Sequence, residues 1–173
     1  MPSTEELVQA ATEGDVSAFS ELVRRYEGTV TVTAWSIVRD FHTAQDVAQE
    51  SFVIAYQKLS QLRDARAFGP WILTIVKCEA LQIQKKRAKQ AAGAVALDEA
   101  IPASAGCWTE FEEIVPVLSQ LPEQERIVVS LRYLDGLPVR DVAEATGRPV
   151  GTVTKQLSRA VQRLRGLLIE AER

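Results

Sequence analysis

The side chains able to do covalent or metal chemistry are few in this sequence. It has one histidine, His42, and two cysteines, Cys78 and Cys107. The separation of those thiols matches no compact zinc spacing, and a His-based triad needs partners the chain lacks. No nucleophile, base and orienting group can be assembled around a single imidazole. Enzymatic activity is therefore disfavoured, and no metal or other cofactor is expected. What the chain does carry is charge set in blocks. Between positions 77 and 89 stand Lys77, Lys85, Lys86, Arg87 and Lys89 against one acid, Glu79. Between positions 145 and 169 stand Arg148, Lys155, Arg159, Arg163 and Arg165 with no acid, while Glu110, Glu112, Glu113, Glu123 and Glu125 gather elsewhere. Basic faces of this kind neutralise phosphates.

The balance over the whole chain restrains that reading. Its 173 residues hold 20 Lys+Arg against 23 Asp+Glu, a net charge of −3. Such a protein does not coat nucleic acid indiscriminately, so contacts must come from local patches. With 46% hydrophobic and 25% charged residues, the composition is that of a folded globular protein of one domain or two small ones. No apolar run is long enough to span a bilayer, and the acidic start Met1-Pro2-Ser3-Thr4-Glu5-Glu6 lacks the apolar stretch of a secretory signal. A cytoplasmic location without membrane insertion is expected.

The elements that must position these charges read as helix after helix. Ser3-Thr4-Glu5-Glu6 is a capping-box pattern opening a helix to about Thr12. Asp15 can cap a second, whose Val16, Phe19, Leu22, Val23 and Tyr26 keep helical spacing. Its continuation, Thr29-Val30-Thr31-Val32-Thr33, has strand propensity but no neighbouring strand to pair with, and is expected to be helix held by tertiary context. Thr43 is expected to cap a third helix with Ala44, Val47, Ala48, Ser51, Phe52, Ala55 and Tyr56 on one face. Gly69-Pro70 should restart the chain into a fourth, lined by Trp71, Ile72, Ile75, Val76 and Ile83. Residues 90–108 are small and poor in anything to bury, longer than a loop inside a domain, and read as a flexible linker. Pro116 interrupts the next pattern. Leu121-Pro122 opens a helix bearing Ile127, Val128, Leu131 and Leu134, stopped by Asp135-Gly136. The fold class expected is all-α: two small helical domains, 1–89 and 109–173, joined by that linker.

A short helix from Pro138, a tight turn Thr146-Gly147-Arg148-Pro149 and a longer helix from about Val150 make a helix-turn-helix arrangement. With Val153, Leu157, Ala160, Leu164 and Leu168 inward, Thr154, Lys155, Ser158, Arg159 and Gln162 point away. Lys and Arg would meet phosphates, and Gln156 or Arg159 could read adenine or guanine edges. A helical hairpin with a merely solvated basic face is the plainer alternative.

At these residues the sequence resembles a family. Leu121-Pro122, Arg126, the run 131–137, Asp141-Val142-Ala143, the run 147–153, Leu157-Ser158-Arg159-Ala160 and Arg163-Leu164 are similar in order and spacing to the C-terminal domain of bacterial extracytoplasmic-function (ECF) sigma factors, members of the sigma-70 family. Phe19, Leu22, Tyr26, the run 44–52, Phe68, Trp71-Ile72 and Ile75 resemble the other sigma domain. The resemblance implies a dissociable subunit that binds core RNA polymerase, recognises promoter DNA and helps melt it. It implies that Asp46, Gln49 and Glu50, on one polar helix face, dock on the polymerase clamp. The helix 70–87 and the loop before it would face the downstream promoter element, with Lys85, Lys86 and Arg87 on the backbone. Phe68 and Trp71 are candidates for stacking on unpaired bases, although core packing competes for both. Thr152, Lys155, Gln156, Ser158 and Arg159 would meet the upstream element. An anti-sigma factor is a further partner implied. No additional C-terminal regulatory domain is expected beyond the last helix.

Cys78 stands where the family often has Asn, Gln82 where Asp is frequent, and Lys155-Gln156 where Ser-Arg is frequent. These departures bear on promoter sequence and melting. Two other classes stay open from sequence alone: a stand-alone helix-turn-helix regulator, and a sigma-like interaction module not acting through polymerase.

Overall fold

The computed structural model describes residues 2–93 and 110–171, and every regular element among them is helical. Helix α1 (Thr4–Thr12) opens with the reciprocal cap expected of its sequence. The Ser3 hydroxyl accepts from the Glu6 N–H at 3.1 Å, and the Ser3 N–H donates to the Glu6 carboxylate at 2.7 Å. Helix α2 (Val16–Val38) starts under Asp15, whose carboxylate accepts from the Ser17 and Ala18 N–H groups at 2.8 and 3.2 Å. Those bonds hold the Asp15 carboxyl below its ordinary range, the Ser17 hydroxyl contributing most.

The β-branched run 29–33 is helical, and all five of its residues are buried. Helix α2 is the central rod of the fold, in contact with α1, α3 (Phe41–Lys58) and α4 (Phe68–Gly93). Burying a Val side chain contributes about 1.5–3 kcal/mol, against a helix-propensity deficit of roughly half a kcal/mol per β-branched residue. Burial therefore wins, and the Thr33 hydroxyl is satisfied by donating to the Thr29 carbonyl at 2.7 Å.

Two local expectations need correction. Helix α3 is capped by Asp40 rather than Thr43, the Asp40 carboxylate accepting from the Thr43 N–H at 2.8 Å. A carboxylate three residues ahead reaches that donor, so the helix begins at Phe41. Helix α4 begins at Phe68, before Pro70, on the end of a single 3-10 turn over Ala65–Ala67. Tyr56 lies at the edge of the α3 core face, 44% exposed, with its ring edge-on to Phe19 at 4.9 Å.

The C-terminal helices are α5 (Glu110–Leu118), which runs on through Pro116, α6 (Glu123–Val129), α7 (Val139–Thr146) and α8 (Val150–Ala171). A wide π turn over Ser130–Leu134 follows α6, closed by the Asp135 N–H on the Ser130 carbonyl at 3.0 Å. Gly136 (φ 71°) and Gly147 (φ 65°) take the left-handed conformation that ends a helix. Along α8, Val153, Leu157 and Ala160 are buried and Leu164 is half-buried, but Leu168 is 55% exposed.

Helix α8 packs on α5, α6 and α7, while α5 and the π turn rest on α2 and α7 rests on α4. The apolar core is continuous from Leu7 to Ala160. Of the expected linker, residues 90–93 are the end of α4, and residues 94–108 lie outside the described residues, as do Thr109 and Cys107.

Candidate nucleic-acid interface

The α7–turn–α8 unit is built from its ends inward. Pro138 precedes α7, Gly147 terminates it with its N–H on the Ala143 and Glu144 carbonyls, and Val142, Ala143, Val153 and Leu157 bury the inside of the angle. The outer face of α8 carries Thr152, Thr154, Lys155, Ser158, Arg159 and Gln162, all exposed. Gln156 is different. Its side-chain carbonyl accepts from Arg148 at 3.1 Å and its NH2 donates to Gln124 at 3.2 Å. Reading a base with Gln156 means giving up these two bonds. Arg163 sits 3.0 Å from Glu125, an ion pair that ties α8 back to α6.

On α4, Lys85 and Lys86 are exposed. Arg87 donates to the Thr43 hydroxyl at 2.5 Å and lies 3.8 Å from the Asp40 carboxylate. The Thr43 hydroxyl first, then the Thr43 N–H and, after it, Arg87 hold the Asp40 carboxyl below its ordinary range. Phe68 is fully buried, edge-on to Tyr26 at 5.3 Å. Its expected stacking role is thereby corrected: a ring with no exposed face cannot receive a base. Trp71 is half-buried, 6.0 Å from Phe68, and Cys78 is a free, exposed thiol. On α3, Asp46, Gln49 and Glu50 are exposed together beside the buried Val47, Ala48 and Phe52.

Sequence reasoning missed a group of residues where the C-terminal helices meet the N-terminal ones. The Asp135 carboxylate accepts from the Gly28 N–H at 2.8 Å, from the Thr29 N–H at 3.1 Å and from the Thr29 hydroxyl. Lys77 pairs with Glu123, which keeps the Glu123 carboxyl low. Arg39 donates to the Ser119 hydroxyl at 3.3 Å. A cleft of about 380 Å³ runs beside this contact, with Gln45, Gln49 and Phe52 on one wall and Phe111, Leu134 and Asp135 on the other. The signal that could have found the contact is Gly28 itself, a glycine inside an otherwise strong helical pattern.

The architecture is that of a two-domain, all-helical protein whose C-terminal domain is a helix-turn-helix. Residues 22–90 match sigma-70 region 2, and residues 111–164 match sigma-70 region 4. The chain is 33% identical to the ECF RNA polymerase sigma-E factor of Haemophilus influenzae, over 89% of each protein. It is 31% identical to "Probable RNA polymerase sigma factor RfaY" of Xanthomonas campestris pv. campestris, matching 92% of this chain and 42% of that longer one. The solved structure of CnrH in complex with the cytosolic domain of CnrY has the same fold. Its TM-score is 0.58 at 23% identity, covering 98% of this chain and 99% of that one. The chain belongs to the ECF sigma factors of the sigma-70 family, the promoter-recognition factors of RNA polymerase. No helix among the described residues is long and apolar enough to cross a membrane.

Proposed function

We propose that this sigma factor acts in the cytoplasm as a dissociable, non-catalytic specificity subunit. Residues 1–89 form the domain for the polymerase clamp and the downstream promoter element. Helix α4 carries the first domain on to Gly93, residues 94–108 are the linker, and residues 109–173 form the domain for the upstream element. The observation that carries the reading is one chain presenting two exposed polar faces of opposite character. One is the Asp46, Gln49 and Glu50 face of α3, and the other is the Lys155, Ser158 and Arg159 face of α8. An acidic, amide-bearing stripe suits a basic partner helix on the polymerase. Thr152, Lys155, Ser158 and Arg159 suit phosphates and base edges in a major groove.

Gln156 joins them once it releases Arg148 and Gln124, and Arg87 joins Lys85 and Lys86 on the downstream backbone once it leaves Thr43. Trp71, half-buried rather than enclosed, is the remaining candidate for an unpaired base. Melting costs about 1.4 kcal/mol of stacking per step, and each base captured on an aromatic ring offsets ~1–3 kcal/mol of the total. An anti-sigma partner is part of the proposal, supported by the CnrH structure being a complex with a cytosolic partner domain.

The test is titration of the protein onto core RNA polymerase, with Glu50→Arg alongside and far-UV circular dichroism as the folding control. Tight binding that falls by about tenfold or more in Glu50→Arg is expected for a charge at the contact. Equal binding by both proteins removes the docking role of this face. Absence of binding by folded wild-type protein refutes action through polymerase.

A further inference from the structure

The seam between the C-terminal and N-terminal helices gathers a group of cations around one acid. Glu123, in the first turn of α6, pairs with Lys77 from α4. Arg126 stands three residues on from Glu123, on the same face of α6. Arg148, in the turn between α7 and α8, donates to Gln156 at 3.1 Å, and Gln156 donates to Gln124, the neighbour of Glu123, at 3.2 Å. Arg39, at the end of α2, reaches the seam through its bond to Ser119. Lys77, Arg126 and Arg148 all act on the Glu123 carboxyl, and Arg39 acts on Arg126 as a second cation. Cations from α2, α4, α6 and the α7–α8 turn therefore meet a single carboxylate.

Arg126 is the unusual member. It is 9% exposed, and its Nε is buried without a hydrogen-bond partner. Among the described residues it forms no ion pair. A guanidinium taken out of water is costly unless an anion and hydrogen bonds offset the loss. Burial, and after it the neighbouring Arg39, holds Arg126 below its ordinary range despite Glu123. An anion of more than one charge is what the position lacks.

The acid now at the centre is replaceable. The Lys77 and Glu123 side chains are 39% and 49% exposed, so solvent reaches the pair and the carboxylate can swing outward. Lys77, Arg126 and Arg148 are then left around the position it held. A chain of linked phosphates carries enough charge for all three, with fork contacts from the guanidinium groups and a point contact from the ammonium. A DNA duplex reaches only exposed side chains, whereas a cation nine-tenths buried selects a small, flexible anion.

We propose that this cluster is a binding site for a soluble oligophosphate, the triphosphate tail of a nucleotide or an inorganic phosphate chain, which displaces Glu123 and is held by Lys77, Arg126 and Arg148. The site stands on these contacts and not on the docking or promoter readings. Its occupant takes hold of Lys77, on the helix assigned to the downstream promoter element, and of Arg148, in the turn of the helix-turn-helix, and so bridges both domains.

The test is isothermal titration calorimetry of the full chain with sodium tripolyphosphate, orthophosphate and ATP, in the absence of divalent metal. Tripolyphosphate should bind at one site per chain, about tenfold or more tighter than orthophosphate. Lys77→Ala and Arg148→Ala, at positions solvent reaches, should keep the fold and each weaken binding about tenfold. Glu123→Gln keeps the shape, removes the competing charge and should tighten binding about threefold. ATP bound at least as tightly as tripolyphosphate assigns a nucleotide, and weaker ATP binding assigns the inorganic chain. The double substitution Lys85→Ala/Lys86→Ala, on the basic end of α4, is the control and should leave binding unchanged. Absence of tripolyphosphate binding by the wild type overturns the site. A loss in the control equal to that in Lys77→Ala and Arg148→Ala shows diffuse attraction and overturns it too, as does unchanged or weaker binding by Glu123→Gln. Displacement of tripolyphosphate by a short mixed-sequence duplex at equal phosphate concentration gives the cluster to DNA and overturns the soluble ligand.

Discussion

Asp135 provides a titration that separates two views of its own contact. Three donors, the Gly28 and Thr29 N–H groups and the Thr29 hydroxyl, favour the carboxylate. Burial opposes them, the neighbouring Glu27 adds to the opposition, and the net result raises the carboxyl to about 7 from an ordinary 3.8. Arg24 and Glu27 of α2 are the charged groups beside it along the cleft, while α3 contributes the neutral Gln45 and Gln49. An acid raised in the folded state binds a proton there that the unfolded chain has released. The stability it contributes is complete below about pH 3.8, declines through the interval, and is gone above about pH 7.

At ~1.36 kcal/mol per pH unit the full interval is worth about 4 kcal/mol, and screening by the solvent that reaches this partly exposed side chain brings the expectation to roughly 2 kcal/mol. Asp135→Asn keeps the shape and cannot titrate. The assay is the stability of wild type minus that of Asp135→Asn at pH 5, 6, 7 and 8, by chemical denaturation and melting temperature. The difference should fall between pH 5 and 7 by about 2 kcal/mol, or roughly 4–8 °C for a chain of this size, and then level. A difference that rises with pH over that interval would mean the three donors dominate and the carboxyl is held low. That result refutes the account of burial at the seam.

Two predictions concern the helix-turn-helix. Gly147→Ala places a side chain at φ 65° where the space around it is open, so its cost is backbone conformation, about 1–2 kcal/mol of stability. Promoter affinity should fall as the α7–α8 angle shifts, measured on the polymerase complex; unchanged stability would show that the turn adopts another conformation. Lys155→Ala should weaken promoter binding uniformly across sequences and reduce the salt slope of log affinity by about one. A loss confined to particular base pairs would make Lys155 a base-reading residue instead.

The sequence was legible wherever local chemistry and burial agreed. The Ser3 and Asp15 caps, the left-handed stop at Gly136, the turn at Gly147 and the inward stripe of α8 as far as Ala160 all follow from residues acting on their own helix. The two family motifs were visible for the same reason, as they lie within single helices and turns. The cap of α3 was misplaced because Asp40 and Thr43 compete for one set of N–H groups, and only geometry says which oxygen arrives. Phe68 carried the right type for stacking, but its burial depends on Tyr26 from another helix.

What the sequence by itself determined is a chain of amphipathic helices with a basic helix-turn-helix and an acidic, amide-bearing polar stripe on α3, because both are periodic patterns on single elements. Tertiary structure alone decided how those helices are joined across the molecule. Asp135 reads in sequence as a helix stop. The π turn over Ser130–Leu134 shifts it by one residue's worth of rotation, and Gly28 leaves room for it to reach the middle of α2. Neither residue signals the other, since they stand 107 positions apart and the contact exists only when both surfaces are packed. Such contacts depend on distance and desolvation between elements, and no local pattern encodes either.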